Sequence, residues 1–340
     1  MSTSSVSTAA PASERVLTYA QALNEALQEE MQRDPSIVLL GEDIGEYGGV
    51  YTVTRGLLDE FGAERVIDTP ISESAVTGAA LGLALTGYRP VVEIMFADFL
   101  FVAGDQLFNH IGKARYVSGG QCAVPLVVRT QQGSGGGKAA QHSQSLEAVF
   151  CHLPGWIVVA PADAAEAKGL LKAAIRDDNP VAFLEHKALY FQKAMVPEGE
   201  YVIPLGKARL VREGSDVTIV SYSKALGLAL EAAEVLAAEG VEADVLDLRT
   251  LKPPDFDAVL GSVRKTNRVL IVHEGHRFCG FGAELSALIQ ERAFHELDSP
   301  IQRVAALDAP IPYNRRLESA VLPQVRNIIL TVRTMLNHDL

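Results

Sequence analysis

Residues 74–96, "SAVTGAALGLALTGYRPVVEIMF", decide the fold. The first fourteen are small or apolar at helical spacing and end at Gly87; the next nine contain a short apolar run around Val91, Val92 and Ile94. A helix that hands over to such a strand is the repeating unit of a parallel sheet covered on both faces. The same handover recurs along the chain: "YAQALNEALQEEMQRD" leads to "SIVLLGED", "FVAGDQLFNHIGKARY" to "PLVVRTQ", "SLEAVFCHL" to "GWIVVAP" and "AAEAKGLLKAAIRD" to "PVAFLEH". From His186 to Gly206 the periodicity lapses around Pro197 and Pro204, which reads as a linker. The rhythm then restarts with strands "SDVTIVSYS", "VEADVLDLRT" and "NRVLIVHEG". These patterns predict an α/β chain of two doubly wound domains, with a loose tail over 1–15, a first domain over 16–195 and a second over 196–340.

At 340 residues and 48% hydrophobic content the chain has enough material for two cores. Its 42 acidic and 30 basic side chains leave a net charge of −12 with no basic cluster, which argues against a nucleic-acid partner. Cys122, Cys151 and Cys279 lie far apart without a C-x-x-C pair and are expected to be reduced, buried small hydrophobes. The Ser/Thr/Ala-rich opening lacks the basic start and apolar stretch of a secretory signal, and no run approaches the roughly 18 apolar residues that span a bilayer. The expectation is a soluble, cytoplasmic protein with no membrane partner.

Within the opening stretch, Gly78 and Gly82 share a helix face with Ala75 and Ala79 nearby, although each helical glycine costs roughly 1 kcal/mol relative to alanine. Such a face suits close approach by another backbone, in the core or at a subunit contact. Glu73 enters this helix beside Ser72 and Ser74; an acid there complements the helix dipole. It is also the only acid between Asp68 and Glu93, and a partly desolvated carboxylate is suited to share a proton with a ligand nitrogen. The run "QQGSGGGKA" fails both the phosphate-loop and the dinucleotide patterns and reads as a flexible loop at the carboxyl edge of the sheet. At its end "AAQHSQS" presents His142, which spacing alone leaves open between a site residue and a polar group at a helix entrance. His186, in "EHKALY", is placed to line a cleft; His110, His152, His273, His276 and His295 read as surface or satisfied core groups.

The stretches "GEDIGEYGGVYTVTRGL", "RVIDTPISESAVTGAALGLALTGYRPVVEIMFADF", "AAQHSQSLEAVFCHLPGWIVVAPADAAEAKGLLKAAIRDDNPV" and "DVLDLRTLKP" resemble the beta subunit of the first component of 2-oxo acid dehydrogenase complexes, from about residue 16 onward. The resemblance implies thiamine diphosphate as cofactor and a transketolase-like pyrimidine-binding domain followed by a transketolase carboxyl-terminal domain. It places Glu73 on the cofactor's aminopyrimidine ring, where proton sharing favours the imino tautomer that activates the thiazolium carbon. Phe99 of "MFADF", with Met95 beside it, would pack on the pyrimidine. His142 would serve proton transfer or acylation of a lipoyl group, with the preceding loop supplying mobility. Leu126, Ala174, Asp177 and Asn179 would hold a structural potassium ion, with Asp178 where an asparagine is common.

No G-D-G…N pattern for magnesium and diphosphate is present; "GDQ" at 104–106 lies in a predicted helix. The resemblance therefore implies that magnesium is held mainly by an alpha subunit, in an alpha-two beta-two heterotetramer whose contact includes the helix from Ala75 to Leu85, and that a lipoyl acyltransferase component receives the acyl group. "TPISESA", "MFADF" and "EHKALY" look closer to the acetoin dehydrogenase branch than to the pyruvate or branched-chain ones. The alternatives are a split transketolase subunit and a non-catalytic docking scaffold.

Overall fold

The computed structural model describes residues 14–337. In chain order its strands are β1 (Glu14–Thr18), β2 (Ile37–Gly41), β3 (Val66–Asp68), β4 (Arg89–Ile94), β5 (Val127–Gln132), β6 (Ile157–Val159), β7 (Val181–His186), β8 (Lys193–Pro197), β9 (Arg209–Arg212), β10 (Val217–Ser221), β11 (Ala243–Asp247), β12 (Thr250–Lys252), β13 (Val269–His276) and β14 (Gln302–Ala306). Seven form one sheet in the order β3-β2-β4-β5-β7-β6-β12, parallel except for β12. Five form a second, β9-β11-β10-β13-β14, parallel except for β9. This is the doubly wound α/β architecture that the alternating pattern predicts.

Burial on both faces explains the unbroken apolar runs. Ile37 and Leu39 of β2 face a layer built with helices Tyr19–Arg33 and Ala164–Arg176, whereas Val38 and Leu40 face one that takes Val76, Ala80 and Ala84 from helix Glu73–Leu85. The latter layer continues into Val220, Tyr222, Leu246, Ile271 and Phe281, so both sheets share one apolar core.

Several local expectations are corrected: the three cysteines are free but not buried, with Cys279 exposed and Cys122 and Cys151 half-buried. Residues 1–13 of the expected tail lie outside the described residues, but Glu14 and Arg15 open β1, which pairs antiparallel with β8 from Glu14↔Pro197 to Thr18↔Lys193. The supposed linker thus contains a strand; only Val196 of β8 is fully buried, which is why no alternation marks it. "VEADVLDLRT" is not one strand either: the chain turns at Arg249 (φ 57°), and Thr250–Lys252 crosses over to pair with β6 in the first sheet. The predicted helix over 101–116 runs through a wide turn at Gln106–Ile111 before ending at Val117. No helix among the described residues is long and apolar enough to cross a membrane.

Candidate active site

After β2 the chain crosses to β3 on one side, and after β4 to β5 on the other, so the connections diverge between two neighbouring strands. The carboxyl ends at such a switch point leave a crevice for ligands. Glu42 follows β2; Thr69, Pro70, Ser72 and Glu73 follow β3; Glu93, Ile94 and Met95 end β4. These residues, with Val76, line one small cleft. Glu73 is half-buried at the first position of its helix, where Ser72 makes no side-chain cap. Burial, reinforced by Asp43 and Glu73, raises the pKa of Glu42 opposite. The Thr69 hydroxyl is buried without a partner among the described residues. The carboxylates of Glu42, Glu73 and Glu93, an apolar wall of Val76, Ile94 and Met95, and the Thr69 hydroxyl are the kinds of group that a flat heteroaromatic ring such as an aminopyrimidine would use, although the cleft as it stands is narrower than such a ring.

Behind this cleft lies a paired network. Arg129 donates to Glu93 at 2.9 Å and through two nitrogens to Glu185 at 2.7 and 2.8 Å; Gln131 donates to Glu93 at 2.8 Å. Burial works against the guanidinium charge, but Glu185 and Glu93 outweigh it and push its pKa up.

His142 stands at the end of the loop after β5. Its ring meets Phe96 at 5.2 Å and Phe99 at 5.4 Å, both edge to face. Its carbonyl accepts from Lys187 Nζ, and two residues on Gln144 donates to Asp98 at 2.9 Å. Met95 therefore stands with Glu73, and Phe99 with His142; Phe96, between them in sequence, joins the two parts.

The glycine run is not a free loop. Gly135 and Gly137 donate their amides to Glu318 at 2.9 and 3.2 Å, and Ser134 donates its hydroxyl to Glu274 at 2.8 Å. An anion-binding nest has thus formed, and carboxylates of the second domain fill it. His186 lies beneath the loop rather than along a cleft: its Nδ1 accepts from Ala188 and its Nε2 donates to Glu274 at 3.0 Å. Burial opposes charge on Glu274, but His186, Lys224 and the Ser134 amide hold its carboxyl well below the ordinary range. Gly133 (φ +82°) is required here, because a Cβ would come within 2.2 Å of His186 Nε2.

Leu126 lies just before β5, Ala174 in the last turn of helix Ala164–Arg176, and Asp177 and Asn179 in the turn that follows it. Val181 donates to the Leu126 carbonyl at 2.9 Å, and the Asp177 carboxylate accepts from the Asn179 amide and side chain at 2.8 and 2.9 Å. Carbonyl and carboxylate oxygens are the donor types that suit a hard cation, but one Asp177 oxygen already accepts both Asn179 bonds, and Arg115 donates to the Asn179 side-chain oxygen at 2.6 Å. Arg89 donates to the carbonyls of Ile175 and Asp177 and to Asp178 at 3.1 Å, which gives that acid its own partner.

On helix Glu73–Leu85, Ala75, Ala79 and Gly82 are exposed, and a Cβ at Gly82 would meet nothing within 4 Å. Gly78 is approached by the Gln106 side chain rather than by a backbone. Close packing inside this chain is therefore not what Gly82 serves.

Comparison with known proteins places this geometry. The transketolase pyrimidine-binding domain matches residues 15–193, and the transketolase C-terminal domain matches residues 206–328. The rice pyruvate dehydrogenase E1 component subunit beta-2, mitochondrial, is 46% identical over 322 residues, 94% of this chain and 86% of the relative. The chain belongs to the family of 2-oxo acid dehydrogenase first-component beta subunits. The corresponding pyruvate dehydrogenase subunit of Rickettsia felis is 47% identical over 317 residues, 93% of this chain and 97% of the relative. Among solved structures, a split gene transketolase described as an inactive beta4 tetramer superposes with a TM-score of 0.78 at 26% identity, covering 94% of this chain and 98% of that one. The transketolase of Campylobacter jejuni shares the fold (TM-score 0.70, 15% identity), with 94% of this chain covering 47% of that one.

Glu42, Phe96, Asp98, Lys187, Glu274 and Glu318 escaped the reading of the sequence. Only Glu42 and Lys187 carried a local signal, as charges immediately after apolar strands in "LLGED" and "FLEHK".

Proposed function

We propose that this chain is the beta subunit of a thiamine-diphosphate-dependent dehydrogenase acting on pyruvate or a similarly small substrate, acetoin included, and passing the acyl unit to lipoamide of an acyltransferase component. One observation carries the reading: Glu73 stands at the switch-point crevice while His142, between Phe96 and Phe99, stands one strand further along the same sheet edge. When bound, the cofactor supplies a thiazolium carbon able to attack and stabilise charge on a substrate carbonyl. Glu73 would hold a proton at the aminopyrimidine ring nitrogen, and Met95 and Ile94 would wall that ring from water. His142 would hold or move a proton beside the reacting carbon.

An alpha subunit completes the site in an alpha-two beta-two assembly and carries most of the magnesium contact; the exposed face of helix Glu73–Leu85 belongs to that contact. Purified chain, with and without a co-expressed alpha-type subunit, tests this with pyruvate, branched-chain 2-oxo acids, acetoin and sugar phosphates. Turnover with lipoamide by the pair alone is expected; full turnover by the isolated chain, or ketol transfer without lipoamide, overturns the reading. Leu126, Ala174, Asp177 and Asn179 are proposed as a potassium seat. A melting temperature higher in potassium than in lithium chloride is expected, and equal values count against it.

A further inference from the structure

We propose that Lys187 is a positioning residue for His142: its ammonium clamps the histidine's carbonyl and fixes the loop that presents the ring. The proposal rests on the functional reading above. Lys187 follows β7, where its amide donates to the Gln132 carbonyl at 3.1 Å, and its side chain is buried. Nζ donates to the His142 carbonyl and lies 5.3 Å from the centre of the Phe96 ring, whose own centre is 5.2 Å from that of His142. Asp98, held by Gln144 through one oxygen, keeps its other oxygen buried and without a partner among the described residues.

The chain's other buried lysines show what is unusual. Lys168 bonds Glu25 and Glu29, and Lys172 bonds Glu29 and Glu200. Each is a buried cation neutralised by carboxylates, as stability requires. Lys187 forms no ion pair among the described residues; it spends its charge on a carbonyl and a ring face, both belonging to the histidine's setting. The charged groups that act on it are Asp98, Glu274, Lys138 and Glu318. Burial nonetheless lowers its pKa to about 8, against the pull of Asp98 and Glu274. A neutral amine holds the carbonyl more weakly than an ammonium does. The clamp therefore loosens as pH rises through this range.

The test uses the reconstituted alpha–beta pair carrying Lys187→Met or Lys187→Arg, with amide hydrogen exchange over residues 139–144 as a readout independent of turnover. For the wild type, kcat should fall above a pH of about 8. Lys187→Met should lower kcat about tenfold with KM within about twofold, remove that alkaline fall, and speed exchange over the loop. Lys187→Arg keeps its charge, so it should restore most of kcat and move the fall beyond a pH of about 10. Wild-type kcat, pH profile and exchange in Lys187→Met would overturn the proposal. If the wild-type pair turns over no substrate, the functional reading fails, and exchange over 139–144 still decides whether Lys187 holds the loop.

Discussion

Glu73 and His142 stand at neighbouring parts of one sheet edge in different company. Around His142 are two aromatic rings, a lysine on its carbonyl, an Asp98–Gln144 bond, and a preceding loop fastened to Glu274 and Glu318 of the second domain. Glu73 has an uncapped helix start, an exposed small-residue face alongside, and Glu42 across a narrow cleft. The histidine end is assembled by this chain alone, whereas the carboxylate end is left unfinished where a partner is proposed to sit. Substitutions at the first end should therefore disturb both structure and activity, and those at the second activity alone.

The sharpest test is Glu73→Gln, which keeps shape and removes the charge. Turnover of the reconstituted pair should drop by roughly 10²–10⁴, the range for loss of a proton-transfer group. Its melting temperature should stay within a degree or two of wild type, because no side-chain partner among the described residues is lost. A large drop in melting temperature would place Glu73 among the structural groups and break the contrast.

Just behind the same cleft the expectation reverses. Arg129→Met strands Glu93 and Glu185 without their cation in a fully buried setting. Urea unfolding should show a loss of about 3–5 kcal/mol, the cost of breaking a buried ion pair from one side. A loss under 1 kcal/mol would show that the two carboxyls are satisfied without the arginine.

The seam between the domains has a weakness that pH exposes. Among the described residues His273 is fully buried, stacks on Tyr222 and has no partner at either ring nitrogen; Tyr222 donates to Glu147 at 2.8 Å, and the second Glu147 oxygen has no partner among them either. Burial, aided by Arg303 and His276, lowers the His273 pKa to about 4 from an ordinary 6.5. Below 6.5 the unfolded chain takes up a proton that the folded ring refuses until about 4, so stability falls as pH drops across that window and no further below it. The fall amounts to about 3 kcal/mol. Denaturation at pH 7 and pH 4.5 should show His273→Phe losing less stability than wild type; equal losses would mean the ring is protonated when folded.

The long central strands and amphipathic helices were legible because burial on both faces leaves apolar runs that few other arrangements explain. β1, β8, β9, β12 and β14 were not: they are short or lie at sheet edges, and in β8 a single buried valine gives no period to read. Glu73 and His142 could be singled out because each interrupts a local pattern, an acid entering an apolar helix and a histidine ending a glycine loop. What holds them could not. Glu274 reaches Ser134 across 140 residues and Glu318 reaches Gly135 across 183, and no local spacing records contacts made only when two domains close on one another.

That long-range clamp gives the smallest effect, and the one that best separates fastening from chemistry. In Glu318→Gln the side chain keeps one acceptor for the amides of Gly135 and Gly137 and loses the charge that made both bonds strong. About 1 kcal/mol should be lost. It should appear as roughly fivefold faster amide exchange confined to residues 133–138, with a few-fold fall in kcat and little change in global stability. If exchange instead quickens throughout the second domain, Glu318 holds the domains together rather than the loop. The closed character of the histidine end would then rest on Glu274, Lys187 and the two phenylalanines.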